Sequence, residues 1–248
     1  MDMPAPPEIT YLGHSTFTMR STDGICILLD PWLKNNPSCP AEYKSAEMLG
    51  KIDVLLITHM HSDHTEDMQD VILCNPGIVI FCIAEIAQIA AAMGASNIQP
   101  MNKGGTVAKE GLSVTMTEAI HSSSSFTEVN GENTMVYGGE PAGFLIKFSN
   151  GFTLYCAGDT GLFGDMLLLK DLYQPHMAIL PIGDRFTMGP LQAAHAVKLL
   201  GVHSVIPCHF GTFPLLSGTP DAFQQELEKL DLASVQVHTL LPGKKLSL

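Results

Sequence analysis

The chain of 248 residues reads as an α+β protein in which two sheets pack face to face with helices outside. Three observations predict this. Short, uniformly apolar runs recur along the sequence. They fall in two batches, each followed by helical stretches. Hydrophobic residues make up 46% of the chain, enough for a sizeable core. Periodicity alone leaves an open α/β sheet as the other arrangement of the same elements. No linker and no internal repeat in the roughly 20–50-residue range divides the chain, which predicts one domain over 1–248.

The elements follow in order. Ile9 to Leu12, Phe17 to Arg20 and Ile25 to Leu29 read as strands, with Asp23-Gly24 as a hairpin turn between the last two. Val54 to Thr58 and Ile78 to Ile83 are short apolar runs of the kind expected of strands covered on both faces. Ala84 to Met93 is alanine-rich and followed by Gly94, a helix with a glycine past its end. Val107-Ala108 and Leu112 to Ala119 read as strands around Glu110-Gly111. His121 to Pro141 is rich in Ser, Asn and Gly and too long for a simple turn, which predicts a substrate-facing loop. Gly143 to Phe148 and Phe152 to Cys156 form a second hairpin about Asn150-Gly151. Met177 to Pro181 and Ser204 to Pro207 are further buried strands, with a helix from Leu191 to Leu200 between them that ends at Gly201. Thr219-Pro220-Asp221 opens a last helix, Thr as N-cap and Pro at the first helical position, running to about Leu230. A short strand over Val235 to Leu240 follows.

Composition excludes some function classes. Lys plus Arg number 13 against 25 Asp plus Glu, a net charge of −12, which is not the basic footprint of a nucleic-acid binder. The start, Met1 to Pro7, has no basic region followed by an apolar stretch and so is not a secretory signal. The longest apolar runs, such as Ile78 to Ile83, fall far short of the roughly 20 residues that span a bilayer. Neither end carries a lipidation motif. The six cysteines (Cys26, Cys39, Cys74, Cys82, Cys156, Cys208) form no CxxC pair, and four lie in apolar runs, which reads as free thiols of a cytoplasmic protein.

The sharpest chemical signal is Thr58-His59-Met60-His61-Ser62-Asp63-His64, directly after a buried strand. A polar turn that happens to hold histidines is the bland alternative. Clustered imidazoles repel one another when protonated, whereas neutral imidazole and carboxylate are good ligands for borderline divalent metals. Their spacing can turn His59 and His61 toward one ion, and Asp63 and His64 toward a second. The same local setting recurs at His121, Asp159 and His209, each at the carboxyl end of an apolar run. Ligands gathered at strand ends of a rigid sheet are what a preorganised metal site requires. His195 lies in a mostly apolar helix and reads as a packing residue; His176 and His203 precede strands and read as exposed.

His-x-His-x-Asp-His, a separate His, a Gly-Asp-Thr and a late His resemble the metallo-β-lactamase superfamily over nearly the whole chain. Leu12-Gly13-His14-Ser15, Leu28-Leu29-Asp30-Pro31-Trp32, the run Tyr155 to Gly161, Leu180-Pro181-Ile182-Gly183 with Phe186-Thr187-Met188-Gly189, and Ile206-Pro207-Cys208-His209-Phe210 resemble a branch of small, stand-alone metal-dependent hydrolases. That branch is similar to the ascorbate-6-phosphate lactonases and, more distantly, to the N-acyl-phosphatidylethanolamine phospholipases D. The resemblance implies a four-layer αββα sandwich with metals at one edge between the sheets. It implies that His59, His61 and His121 hold a first divalent ion, that Asp63, His64 and His209 hold a second, and that Asp159 bridges them. Zinc is the default, and manganese, iron and nickel also suit nitrogen and oxygen ligands. Asp30 is implied to brace the metal loop, Thr58 to support it through its hydroxyl, and His14 to lie near the site. Arg185, in the Gly183 to Gly189 wall, can pair an anionic substrate group or stand as a surface cation near Asp184.

The function so implied is hydrolysis of an ester, lactone or phosphodiester in a small molecule by a hydroxide shared between two cations, with Asp63 shuttling a proton. A homo-oligomer is implied by the lactonases; no nucleic acid and no membrane span are expected. Two rivals use the same ligands. A nuclease of this superfamily carries an inserted domain or RNA-binding arm, for which this length leaves no room. A di-iron redox protein usually carries a flavin module, and no glycine-rich flavin segment is present. A metal-binding protein without catalysis is the third alternative.

Overall fold

The computed structural model describes residues 4–109, 111–129 and 132–246. The first three residues of the Met1 to Pro7 start lie outside the described residues, as do Glu110 of the Glu110-Gly111 turn and Asn130 and Gly131 of the expected long loop. The first sheet takes β1 (Glu8–Gly13), β2 (Thr16–Arg20), β3 (Cys26–Leu29), β4 (Val54–Leu56), β5 (Val79–Ile83) and β6 (Asn97–Met101) in that order. β1 to β3 are antiparallel neighbours, and β3 to β6 run parallel. Next come β7 (Thr106–Lys109), β8 (Leu112–Glu118), and a two-stranded sheet of β9 (Ser124–Val129) and β10 (Glu132–Tyr137). The rest of the second large sheet is β11 (Ala142–Lys147), β12 (Thr153–Cys156), β13 (Met177–Pro181), β14 (Ser204–Cys208) and β15 (Gln236–Val237). Its order is β15-β14-β13-β12-β11-β8-β7, antiparallel from β7 to β12 and parallel from β12 to β15.

Side-chain alternation sorts this sheet into two faces. Phe144, Ile146, Leu154, Cys156, Met177 and Ile179 join Ile9, Phe17 and Ile27 of the first sheet in one buried core. Their neighbours Leu145, Tyr155, Ala178 and Leu180 instead meet Ala193, Val197, Phe223 and Leu227. Those four belong to α5 (Pro190–Leu200) and α6 (Pro220–Lys229). On the first sheet, α2 (Met68–Cys74) and α3 (Ala84–Ala92) contribute Val71, Ile72, Ile86 and Ala90. The result is the four-layer αββα sandwich, and it explains why the strands read as unbroken apolar runs: both faces are covered. Capping follows the sequence, with the Thr219 hydroxyl accepting the Ala222 N–H at 3.1 Å and Gly201 left-handed after α5.

Several readings change. His121 to Pro141 is not a loop throughout: β9 and β10 pair within it, Phe126 opposite Met135 and Ser124 opposite Tyr137. Phe126, Met135 and Tyr137 are exposed, so the hairpin lacks the buried run that marks a core strand. The final strand shrinks from Val235–Leu240 to Gln236–Val237. His176 is half-buried, its ring stacked on Phe152 with centroids 5.1 Å apart and its Nδ1 accepting the Thr153 N–H at 3.0 Å. His203 is exposed, and His195 is half-buried on α5. All six cysteines are unpaired, and Cys74 is exposed. No helix among the described residues is long and apolar enough to cross a membrane.

Candidate metal centre

The chemistry-bearing side chains sit just past the carboxyl ends of strands from both sheets. His14 follows β1, Asp30 follows β3 and His59 follows β4; His121 follows β8, Asp159 follows β12 and His209 follows β14. His14, Asp30 and His209 have positive φ of 58°, 47° and 53°, a left-handed conformation that Asp and His enter more readily than most residues. Each turns the chain sharply at a strand end. His61 precedes the single turn α1 (Ser62–Thr65), whose His64 N–H donates to the His61 carbonyl at 3.0 Å. That turn brings His64 back beside His59, with ring centroids 4.1 Å apart. The edges of the sheets are stitched here by backbone bonds from Ala142 N–H to the Thr58 carbonyl (3.0 Å) and from His209 N–H to the His14 carbonyl (2.8 Å).

Three nitrogens form a first cluster. His59 Nε2 lies 3.0 Å from His61 Nδ1, which lies 3.3 Å from His121 Nε2. Ligands held at about 2.0–2.1 Å in a zinc tetrahedron stand about 3.3 Å apart, so these separations match ligand edges. A second cluster gathers His14, Asp63, His64 and His209. Asp159 Oδ2 stands between them, 3.0 Å from His209 Nε2, 3.4 Å from His64 Nε2 and 3.6 Å from His121 Nε2.

Asp30 and Thr58 fix which nitrogens face inward. The buried Asp30 accepts the Thr58 N–H at Oδ1 (2.8 Å), and at Oδ2 the Thr58 hydroxyl (2.6 Å) and His64 Nδ1–H (2.8 Å). Having given its one proton to a carboxylate, the Thr58 hydroxyl can only accept from His59 Nδ1, 3.0 Å away. The bare Nε2 of His59 therefore faces the first cluster, and the Nε2 of His64 faces Asp159. Such carboxylate–histidine links orient the imidazoles of metal sites.

Electrostatics favour a cation. Burial pushes the pKa of His59 well down and lowers those of His61 and His121, so these three are neutral and ready to ligate. Burial opposes charge on His64 as well, but Asp159 and Asp30 on either side outweigh it and hold its pKa well above the ordinary value. Burial also works against the Asp159 carboxylate, yet His209 and His64 keep it well below the usual range. For Asp63, the hydrogen bond from His14 and the charge of His64 likewise overcome burial. A proton on His64 thus occupies a place where two carboxylates call for positive charge. His64 Nε2 and Asp159 Oδ1 are buried with no hydrogen-bond partner, which an ion between the clusters would resolve. The residues fit a divalent-metal centre on this ground. Burial pushes the adjacent Cys208 thiol far above its ordinary pKa, so it offers no thiolate nucleophile.

Arg185 is not gathered into these contacts. It is exposed, and its guanidinium carbon lies 5.5 Å from the centre of the Phe186 ring. The sequence reading missed two supports. Ser123 accepts the Met60 N–H at Oγ (3.2 Å) and the Gly138 N–H at its carbonyl (3.0 Å), tying the β9–β10 hairpin to the segment from His59 to His64. Thr212 reaches His14 Nδ1 at 3.0 Å. A hydroxyl residue two or three positions past a ligand-type residue, as Ser123 is past His121 and Thr212 past His209, carries no sequence signal that singles it out.

Gly138 has no room for a side chain: an added Cβ would lie 2.4 Å from Met60 Cβ and 2.9 Å from Ser123 Oγ. Gly138→Ala is expected to displace Met60, which sits between His59 and His61. Overpacking of this kind costs about 1–3 kcal/mol. A melting curve should fall by about 5 °C, and metal content after loading should fall with it; unchanged values of both would refute the coupling.

A model of the beta-lactamase superfamily domain matches residues 26–210. A UPF0173 metal-dependent hydrolase from Rubrobacter xylanophilus is 45% identical over 239 residues, covering 96% of each chain. Another from Koribacter versatilis is 42% identical over 237 residues, again covering 96% of each. Among solved structures, the metallo hydrolase Igni18 from the hyperthermophilic archaeon Ignicoccus hospitalis superposes with a TM-score of 0.81 at 34% identity, covering 97% of each chain. With its αββα layers and with histidines and carboxylates from both sheets meeting at one edge, the chain belongs to the metallo-β-lactamase superfamily, within the UPF0173 metal-dependent hydrolases.

Proposed function

We propose that this protein is a dinuclear metal-dependent hydrolase acting on an ester, lactone or phosphodiester bond of a small molecule. The observation that carries the reading is Asp159 Oδ2, placed 3.0 Å from His209 and 3.6 Å from His121, between two clusters of inward-facing nitrogens. His59, His61 and His121 hold the first ion; Asp63, His64 and His209 hold the second; Asp159 serves both. When bound, the two cations supply Lewis acidity and lower the pKa of a water from 15.7 toward about 7. Zinc suits the donor set, as do manganese, iron and nickel.

The chain's own groups divide the remaining tasks. Asp30 and Thr58 hold the imidazoles in register. Asp159, fully enclosed, orients and neutralises. Asp63 is different: its side chain is 28% exposed, so it meets solvent and can carry a proton to a leaving group. Names of relatives support the hydrolase class. The test is metal analysis of loaded protein together with a panel of lactones, phosphodiesters and thioesters, each run with zinc, manganese, iron and nickel. Hydrolysis that a chelator abolishes and metal restores is the expected result. Protein that takes up no divalent ion, or that binds iron with a visible spectrum and hydrolyses nothing in the panel, overturns the reading, the latter in favour of a redox centre.

A further inference from the structure

His14 lies outside the seven-residue ligand set proposed above, yet it is fully buried and wedged at the second cluster. Trp32 meets its ring edge-on with centroids 5.0 Å apart, His209 stands at 3.9 Å and Phe213 at 5.7 Å. Its carbonyl receives the His209 N–H at 2.8 Å and the Tyr11 hydroxyl at 3.2 Å. So immobile a ring, with both nitrogens engaged, is built to hold something. Nε2 lies 3.0 Å from Asp63 Oδ2, and Nδ1 lies 3.0 Å from Thr212 Oγ1.

We propose that His14 is a positioning residue for Asp63, locked in its working tautomer by Thr212. A carboxylate only accepts, so Nε2 carries the proton that Asp63 Oδ2 receives. Nδ1 is then bare and accepts the Thr212 hydroxyl. With Oδ2 tied, Oδ1 is the oxygen of Asp63 left to meet an ion or a substrate proton. The device links three segments, the ends of β1 and β14 and the turn α1, at the one partly exposed carboxylate of the cluster. What Asp63 does once positioned rests on the proposed dinuclear reading; the contact that positions it does not. The competing role, His14 as one more metal ligand through Nε2, requires the opposite tautomer, with Nδ1–H donated to Thr212.

Nitrogen NMR of the histidine rings in the full chain, metal-free and then loaded with Co(II)'s diamagnetic substitute Zn(II), separates these roles. The expected result is an Nε2–H, bare-Nδ1 ring for His14 in both states. An Nδ1–H ring in the loaded protein overturns the positioning role. Titration with Co(II) alone, followed by its visible spectrum, gives the second readout. His14→Gln retains an amide donor near the Nε2 position and should keep the second Co(II) affinity within about 3-fold. His14→Leu should weaken it by about 10–100-fold, the range for losing a partner of a metal ligand. Thr212→Val, which leaves the ring in place, should weaken it by about 10-fold. Equal loss in the Gln and Leu variants, or no loss in Leu and Val, overturns the proposal. Should His14→Leu fail to fold, the Gln and Val variants and the ring tautomer decide. A wild-type chain that binds no Co(II) sinks the dinuclear reading, whereas the metal-free ring tautomer still confirms or refutes the His14–Asp63 contact.

Discussion

Asp159→Ala is expected to cut metal-dependent hydrolysis by about 10³-fold and to lower bound metal from two ions toward one per chain. The side chain lies within 3.6 Å of His121, His64 and His209, so no other group can replace its charge at that point. A loss of this size corresponds to about 4 kcal/mol of transition-state stabilisation. Removing it also leaves His64 with one carboxylate neighbour in place of two. Metal analysis and turnover measured on the same preparations check both halves of the expectation. A variant that kept full activity and two ions would remove Asp159 from the bridging role.

The second large effect is expected at Asp30. Its two oxygens accept from the Thr58 N–H, the Thr58 hydroxyl and His64 Nδ1, all in a fully buried pocket. Asp30→Ala leaves all three donors unpaired, at a cost of about 3–5 kcal/mol. The isosteric Asp30→Asn should do little better. Turned one way, its NH₂ faces the Thr58 N–H, which can only donate; turned the other, it faces the Thr58 hydroxyl and His64 Nδ1, which can accept it only by giving up the rotor and tautomer that present His59 and His64. Both variants should therefore melt lower by on the order of 10 °C, and both should hold metal weakly because His59 and His64 lose their enforced tautomers. Thermal unfolding with metal titration tests this; an Asn variant as stable as the parent would show that the three donors do not converge on the carboxylate.

Much of this is legible in the sequence. Strands buried on both faces advertise themselves as bounded apolar runs, and Val79–Ile83 and Met177–Pro181 did so. The elements that escaped lack that signature. β6 (Asn97–Met101) contains Pro100 and pairs on the edge of its sheet, where polar residues and proline are tolerated. The helix α4 (Met166–Tyr173) carries exposed Leu167, Leu168 and Leu172, so its apolar stripe is blurred. The β9–β10 hairpin is held by backbone pairing more than by burial. At the site, the seven ligand-type residues are recognisable because imidazoles crowded into one turn repel one another when protonated, and the same residue types recur at the ends of other apolar runs. Thr212 and Ser123 are not, since a hydroxyl near a turn has many ordinary uses. What the sequence could not convey was direction: that Thr58 gives its proton to Asp30 and so presents His59 by one nitrogen rather than the other.

The division of the centre between the sheets has a consequence for how the polypeptide can be cut, joined or inherited. Residues up to Met101 bring His14, Asp30, His59, His61, Asp63 and His64; His121, Asp159 and His209 arrive only with the later strands. Neither portion holds all seven residues of the proposed ligand set. A gene fragment ending between β6 and β7 would encode a histidine-rich stub without Asp159 across from it, so on the dinuclear reading proposed above a cation seated between the clusters would also rivet the two sheets together.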